Sequence, residues 1–182
     1  SFDLIKFQSL SDEYLVSNLP FIRPSISFEG NNLNNKQRNR NSSIKMSFNS
    51  ISRKNNKDVD SIHFQNTNNK SYIYNGFLIK DFNIFNIDAY NKNGTSNNKT
   101  LIKFFPQLGL ETQYPLIGHS KKSSFLIEPK VQLFISPDDY YNNKIRNEDS
   151  LELDLNSSNL FNYNRYSGND RRESGVRLNY GV

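Results

Sequence analysis

Residues 125–135 read FLIEPKVQLFI, and their alternation decides the fold class. Phe125, Ile127, Val131, Leu133 and Ile135 share one side of an extended chain, Glu128, Lys130 and Gln132 the other, and Pro129 falls on the apolar side. Successive side chains of a strand point to opposite faces, so this pattern predicts a β-strand with one apolar and one wet surface. Residues 106–117, PQLGLETQYPLI, repeat it, with Leu108, Leu110 and Tyr114 set against Gln107, Gly109, Glu111 and Gln113.

Working outward, the totals narrow the setting of such strands. Of the 182 residues only 35% are hydrophobic, which leaves little for a soluble core. Disorder would suit that figure, but disordered segments are poor in aromatics, and this chain sets 14 Phe and 10 Tyr in alternating runs. A transmembrane β-barrel reconciles the two, because its strands are apolar only toward lipid and polar toward the lumen. No run approaches the roughly 18 apolar residues of a membrane-spanning helix, so any crossing is made by strands. A soluble β-sandwich alternates as well and stays open on periodicity alone.

The net charge of +5 suits an anionic partner of any kind. Lys36, Arg38, Arg40, Lys54 and Lys57 lie in Asn-rich stretches and read as solvated loops. A soluble basic module for nucleic acid would interleave aromatics with Lys and Arg on one face, whereas here aromatics alternate as often with acids and amides. The absence of Cys removes disulfide and thiol chemistry.

Along the chain, short alternating runs are separated by Asn, Gly, Asp and Lys clusters, as in antiparallel strands joined by turns. Phe2–Gln8 and Glu13–Ser17 are the first candidate strands. PFIRPSISFEG follows, in which Pro20 and Pro24 remove two ladder donors and predict an irregular or edge-like strand. NNLNNKQRNRN is a loop, and SIKMSFNSISR sets Ile44, Met46, Phe48 and Ile51 on one side with a slip near Ser50. Tyr72–Tyr90 fits one long strand with a bulge or two strands, and the Asn-Gly step in NKNGTSNNK supports a hairpin after it. At roughly 9 to 11 residues per crossing, the chain holds roughly eight strands.

The first residues, SFDLIKFQSLSDEYL, carry no basic start and apolar stretch of a secretory signal, and VRLNYGV stops while still alternating. An internal piece of a larger barrel is the expectation from both ends.

After Ser136 and Pro137 comes DDYYNNKIRNEDS, then the alternating LELDL, then NSSNLFNYNRYSGNDRRESGVRLNYGV. The ordered steps in it are Glu128-Pro129-Lys130; Asn147, Asp149 and Ser150; Asn159-Leu160-Phe161; Arg165, Ser167, Gly168, Asp170 and Arg171; and Asn179-Tyr180-Gly181. In that order they resemble the barrel domain of the LPS-assembly protein family LptD (OstA/Imp), closely over residues 106–182 and only generally before. Arg146 departs from the family's pattern, which has proline before the Asn.

The resemblance implies an all-β fold, an antiparallel transmembrane β-barrel segment with long polar loops, residues 1–182 forming part of one barrel domain. It implies a place in the lipopolysaccharide translocon of the Gram-negative outer membrane, with a polar lumen and a lateral opening. Its implied partners are lipopolysaccharide, an LptE-like lipoprotein or analogous accessory protein in the lumen, and a periplasmic bridge protein reached through an N-terminal domain. Glu111, Glu128, Lys130 and Gln132 are the candidate lumen-facing residues. Asn147, Asp149, Ser150, Asn159, Leu160, Phe161, Arg165, Gly168, Asp170 and Arg171 are the candidate structural or plugging loop. A passive porin-like channel is the alternative, since it needs the same alternation.

Nothing in the sequence predicts catalysis or a cofactor, because His63 and His119 lie beside no nucleophile or paired carboxylates. Glu148, Asp149, Glu152 and Asp154 match no EF-hand spacing, and an alternating lumen face is expected to account for Glu152 and Asp154.

Overall fold

The computed structural model describes residues 2–6, 21–33, 39–53, 58–93, 99–120, 122–141 and 144–182. It is all-β, with β1 (Phe2–Lys6), β2 (Phe21–Leu33), β3 (Arg40–Ser52), β4 (Asp58–Tyr74), β5 (Phe77–Asn93), β6 (Lys99–Gln113), β7 (Leu116–His119), β8 (Ser124–Ile127), β9 (Lys130–Ser136) and β10 (Gly175–Gly181). Eight strands form one sheet in the order β1-β2-β3-β4-β5-β6-β9-β10, and β7 and β8 form a separate two-stranded ribbon. Glu13–Ser17 lies outside the described residues, as do Lys36, Arg38, Lys54 and Lys57, whereas Arg40 opens β3 and is exposed.

The described residues fall into two compact units, one of Ser1–Asn31, Ser43–Asn66 and Asn86–Phe104, the other of Asn32–Ser42, Thr67–Phe85 and Phe105–Val182. Within each, strands alternate as the sequence predicts. In β6, Lys103, Phe105 and Gln107 are buried while Ile102, Phe104, Leu108 and Leu110 are more than half exposed. In β10, Asn179 is buried while Val176, Leu178 and Tyr180 point outward. Polar groups inside and greasy ones outside invert the soluble order, which is what a sheet facing hydrocarbon requires.

Proline acts where the sequence places it. Asp3 pairs with Ser25 and Ile5 with Ile22, so the register slips opposite Arg23 and Pro24, where the ring removes a donor. Pro129 has a larger effect and corrects the reading of 125–135 as one strand. The ladder stops at Glu128-Pro129, β8 turns away to pair with β7, and β9 restarts at Lys130 against β6, with Gln113 opposite it. The Pro129 carbonyl still accepts from Tyr114 N–H at 3.1 Å.

Tyr72–Tyr90 resolves into two strands. Asn75 and Gly76 both have left-handed φ, 48° and 82°, as a two-residue type I′ hairpin turn demands. The LELDL piece is not a strand, since Glu152↔Tyr166 is its one bridge among the described residues. Glu152 and Asp154 are exposed in the loop and do not line a sheet face, which corrects that expectation.

Candidate functional site

The second unit brings the polar sides of β6, β9 and β10 together under the loop that joins β9 to β10. Register sets Glu111 opposite Gln132 and Gln132 opposite Asn179, so three polar side chains form one row across three strands. Gln132 is 1% exposed and its amide is nearly saturated. Its nitrogen donates to Glu111 Oε2 at 2.8 Å and to the Phe161 carbonyl at 2.9 Å, while its oxygen accepts from Asn179 Nδ2 at 2.9 Å. Lys130 Nζ lies 3.6 Å from Glu111 Oε1 and 4.9 Å from the Phe161 ring centroid.

The donors that reach the loop come from all three strands. Gln107 Nε2 of β6 meets the Tyr163 carbonyl at 3.4 Å, Gln132 of β9 that of Phe161, and Arg177 Nη2 of β10 that of Asn162 at 2.6 Å. Three consecutive loop residues are thus held by their main chain. Arg165 and Arg177 both pair with Glu173, which gathers the loop's return path onto β10. Phe134, buried beneath, packs between the Phe82 ring at 5.4 Å and the Arg177 guanidinium at 5.3 Å, and its ring covers Gly109, where any side chain would collide with it.

The loop's reach follows from the register. It leaves the sheet at Ser136 and returns at Gly175, which pair with each other. Yet Leu160 and Phe161 pack on Gly181, opposite Lys130 at the far end of the same hairpin. The loop therefore runs back over the polar face for the whole length of β9, roughly 20 Å at the usual rise of a strand.

Its own interior explains why a segment this polar holds one shape. Glu148 and Asp149 N–H donate to Asp170 Oδ2 at 2.7 and 3.3 Å, while Asn169 and Asp170 N–H donate to the Asp149 carboxylate at 2.9 and 3.0 Å. Each aspartate caps the other's turn. Ser150 Oγ joins the two sides by donating to Asp149 Oδ1 and accepting from Arg171 N–H, and Arg171 Nη2 donates to the buried Ile145's carbonyl at 3.1 Å. Asn147 and Ser150 exchange two hydrogen bonds, Leu153 N–H reaches the Arg165 carbonyl, and Asn159 Nδ2 the Asp154 carbonyl. Gly168 sits at φ +73°, pressed on the Asp149 main-chain oxygen, where a side chain has no room.

Of the residues singled out from sequence, Glu111, Lys130 and Gln132 converge on the covered face, Leu160 and Phe161 meet that hairpin at Gly181, and Asn147, Asp149, Ser150, Gly168, Asp170 and Arg171 form the clasp just described, with Asn159 and Arg165 bonded elsewhere in the loop. Glu128 does not join them. The break at Pro129 leaves it exposed, accepting a hydrogen bond from Gln113 Nε2 at 2.8 Å. Gln107, Phe134, Glu173 and Arg177 were not singled out. For Phe134 and Gln107 the signal was parity with Gln132 and Glu111; for Glu173 and Arg177 no short pattern carries it.

The first unit covers its polar groups differently. His63 Nδ1 and Asp88 Oδ1 are 3.0 Å apart, both buried, and the His63 ring meets Tyr90 edge-on at 5.4 Å. Gln65 Nε2 donates to Asn86 Oδ1, Ser50 Oγ to Asp60 Oδ1, and Ser25 Oγ to Asn49 Oδ1, at 2.6 to 2.8 Å. These are side chain to side chain, strand to neighbouring strand.

The model of one protein family, LptD: LPS transport system D, matches residues 1–182. No curated protein matches the chain.

Proposed function

This chain belongs to the LptD family, a lipopolysaccharide-transport family, and from that premise we propose that it forms part of the wall, lumen lining and inner plug of an outer-membrane translocon. Lipopolysaccharide carries an acylated anchor and a bulky hydrated sugar. A barrel that moves it needs a surface that tolerates lipid and a lumen that hydrogen-bonds sugar. Two-faced strands supply both in one layer. Glu111, Lys130, Gln132 and the facing loop are the proposed contacts for the sugar or for a lipoprotein lodged in the lumen, and the Gram-negative outer membrane is the proposed location.

The loop laid over β6, β9 and β10 carries this reading. A steady open pore gains nothing from a segment that runs the length of its inner wall and is held by a donor from each strand. Such a segment supports a conduit that stays shut until cargo or partner displaces it, and it disfavours the porin alternative. Depletion of the full-length protein in its host tests the reading: surface lipopolysaccharide is expected to fall, and an unchanged level sinks it.

A further inference from the structure

The β7–β8 ribbon departs from the one-sided exposure of β6, β9 and β10. Leu116 faces Ile127 on one side of it and Ile117 faces Leu126 on the other, with Phe125 lying across Gly118. Those five apolar side chains are between 44% and 67% exposed, so both faces are greasy and neither is covered. A soluble surface does not leave such a patch bare without purpose. Nor can the ribbon sit in the hydrocarbon core, because a lone pair of strands has two unpaired edges.

Its position narrows the choice. The ribbon springs from Tyr114 and Pro115, where β6 ends, and the Tyr114 ring lies 4.7 Å from Phe77 and against Gly76 of the β4–β5 turn. Tyr72, Tyr74 and Phe77, all exposed, flank that turn, and Lys70 Nζ lies 4.6 Å over the Tyr72 ring. Exposed aromatics with a lysine beside them at a strand end mark the level where hydrocarbon meets headgroups. Below it the outward face continues as Leu110, Leu108, Val131 and Ile135. At the ribbon's other end Ser120 N–H donates to the Ser123 carbonyl at 2.7 Å, and the exposed Lys122 follows Lys121 in sequence.

We propose that β7–β8 is an interfacial hairpin that lies in the headgroup layer of an anionic phospholipid leaflet, its apolar faces in the acyl boundary and the exposed Lys122 at its turn on lipid phosphates. Two apolar faces suit a boundary layer, whose chains wrap the ribbon while headgroups and water satisfy its edges. Basic residues near such a surface gain from its negative potential. The proposal rests on the outward face of β6 and β9 meeting lipid.

The test places tryptophan at Ile117 in the ribbon and, separately, at Leu108 in β6 of the full-length protein, reconstituted in vesicles of phosphatidylcholine with or without phosphatidylglycerol and read against the parent protein. Lipids brominated near the carbonyl end are expected to quench Ile117→Trp more than those brominated near the methyl end. Phosphatidylglycerol is expected to increase that quenching, and Lys121→Glu with Lys122→Glu to abolish the increase. Leu108→Trp is expected to respond more to the deep bromines. Quenching of Ile117→Trp by aqueous acrylamide and not by lipid, or by neither because protein covers it, overturns the proposal while lipid quenching at Leu108 leaves the wall intact. Loss of lipid quenching at Leu108 as well overturns both.

Discussion

In the first unit the buried polar groups of β2 to β5 satisfy one another across the sheet, His63 with Asp88 and Gln65 with Asn86; in the second, Gln107, Gln132 and Arg177 reach away from the sheet to loop carbonyls. Burial forces the same demand on both, because a polar group out of water costs free energy unless it is paired. In the first, these partners sit on neighbouring strands of the sheet. The second is open to exchange, since whatever presents acceptors to those donors can stand where the loop stands. One sheet thus satisfies its buried polar groups from its own strands in one unit and from an overlying segment in the other.

The largest effect is expected from taking the loop's shape away. Gly168→Ala introduces a side chain at left-handed φ against the Asp149 oxygen and is expected to cost roughly 3 kcal/mol of loop stability. Limited proteolysis within 144–174 should become fast in this variant. Next comes Asp170→Ala, which strips two main-chain donors of their acceptor and is expected to cost about 2 to 3 kcal/mol, with Asp170→Asn losing about half as much. Amide exchange at Glu148 and Asp149 reads both; equal loss in the two variants would remove the carboxylate from the account.

In the fixed region, His63→Ala is expected to cost about 2 kcal/mol by removing a buried partner of Asp88, and His63→Gln to recover part of it. Denaturant midpoints of the reconstituted protein measure this. Arg177→Lys retains the charge but not the planar fork that serves Asn162 and Glu173 together, and about 1 kcal/mol of loop docking should go with it. The smallest effect is expected from Lys130→Met, near 0.5 kcal/mol by order of magnitude, because its pair with Glu111 is partly solvated and its ring contact is weak. A large effect there would mean that charge and not main-chain recognition holds the loop.

Much of the wall was legible because alternation is local. Leu108 against Gln107, or Val131 against Gln132, reads directly from neighbours in sequence, and so does the family grammar from Asn147 to Arg171. Pro129 shows where local reading falls short: it keeps its place on the apolar row, yet its missing donor ends the ladder and leaves Glu128 exposed beside Gln113. Asn75-Gly76 carries a strong short-range hairpin signal, but the apolar residues around it fill both parities, so alternation alone leaves one strand or two open there. The aspartate exchange between 149 and 170, and the meeting of Arg165 and Arg177 on Glu173, join positions that no periodicity links.

The grip of Gln107, Gln132 and Arg177 on carbonyls has a consequence for how this region can vary. A carbonyl is the same in every residue, so at 161–163 these three donors recognise the trace of the loop and not its spelling. The exposed Asn162 side chain is at liberty to drift, and docking persists so long as the three donating residues meet a main chain of the same path.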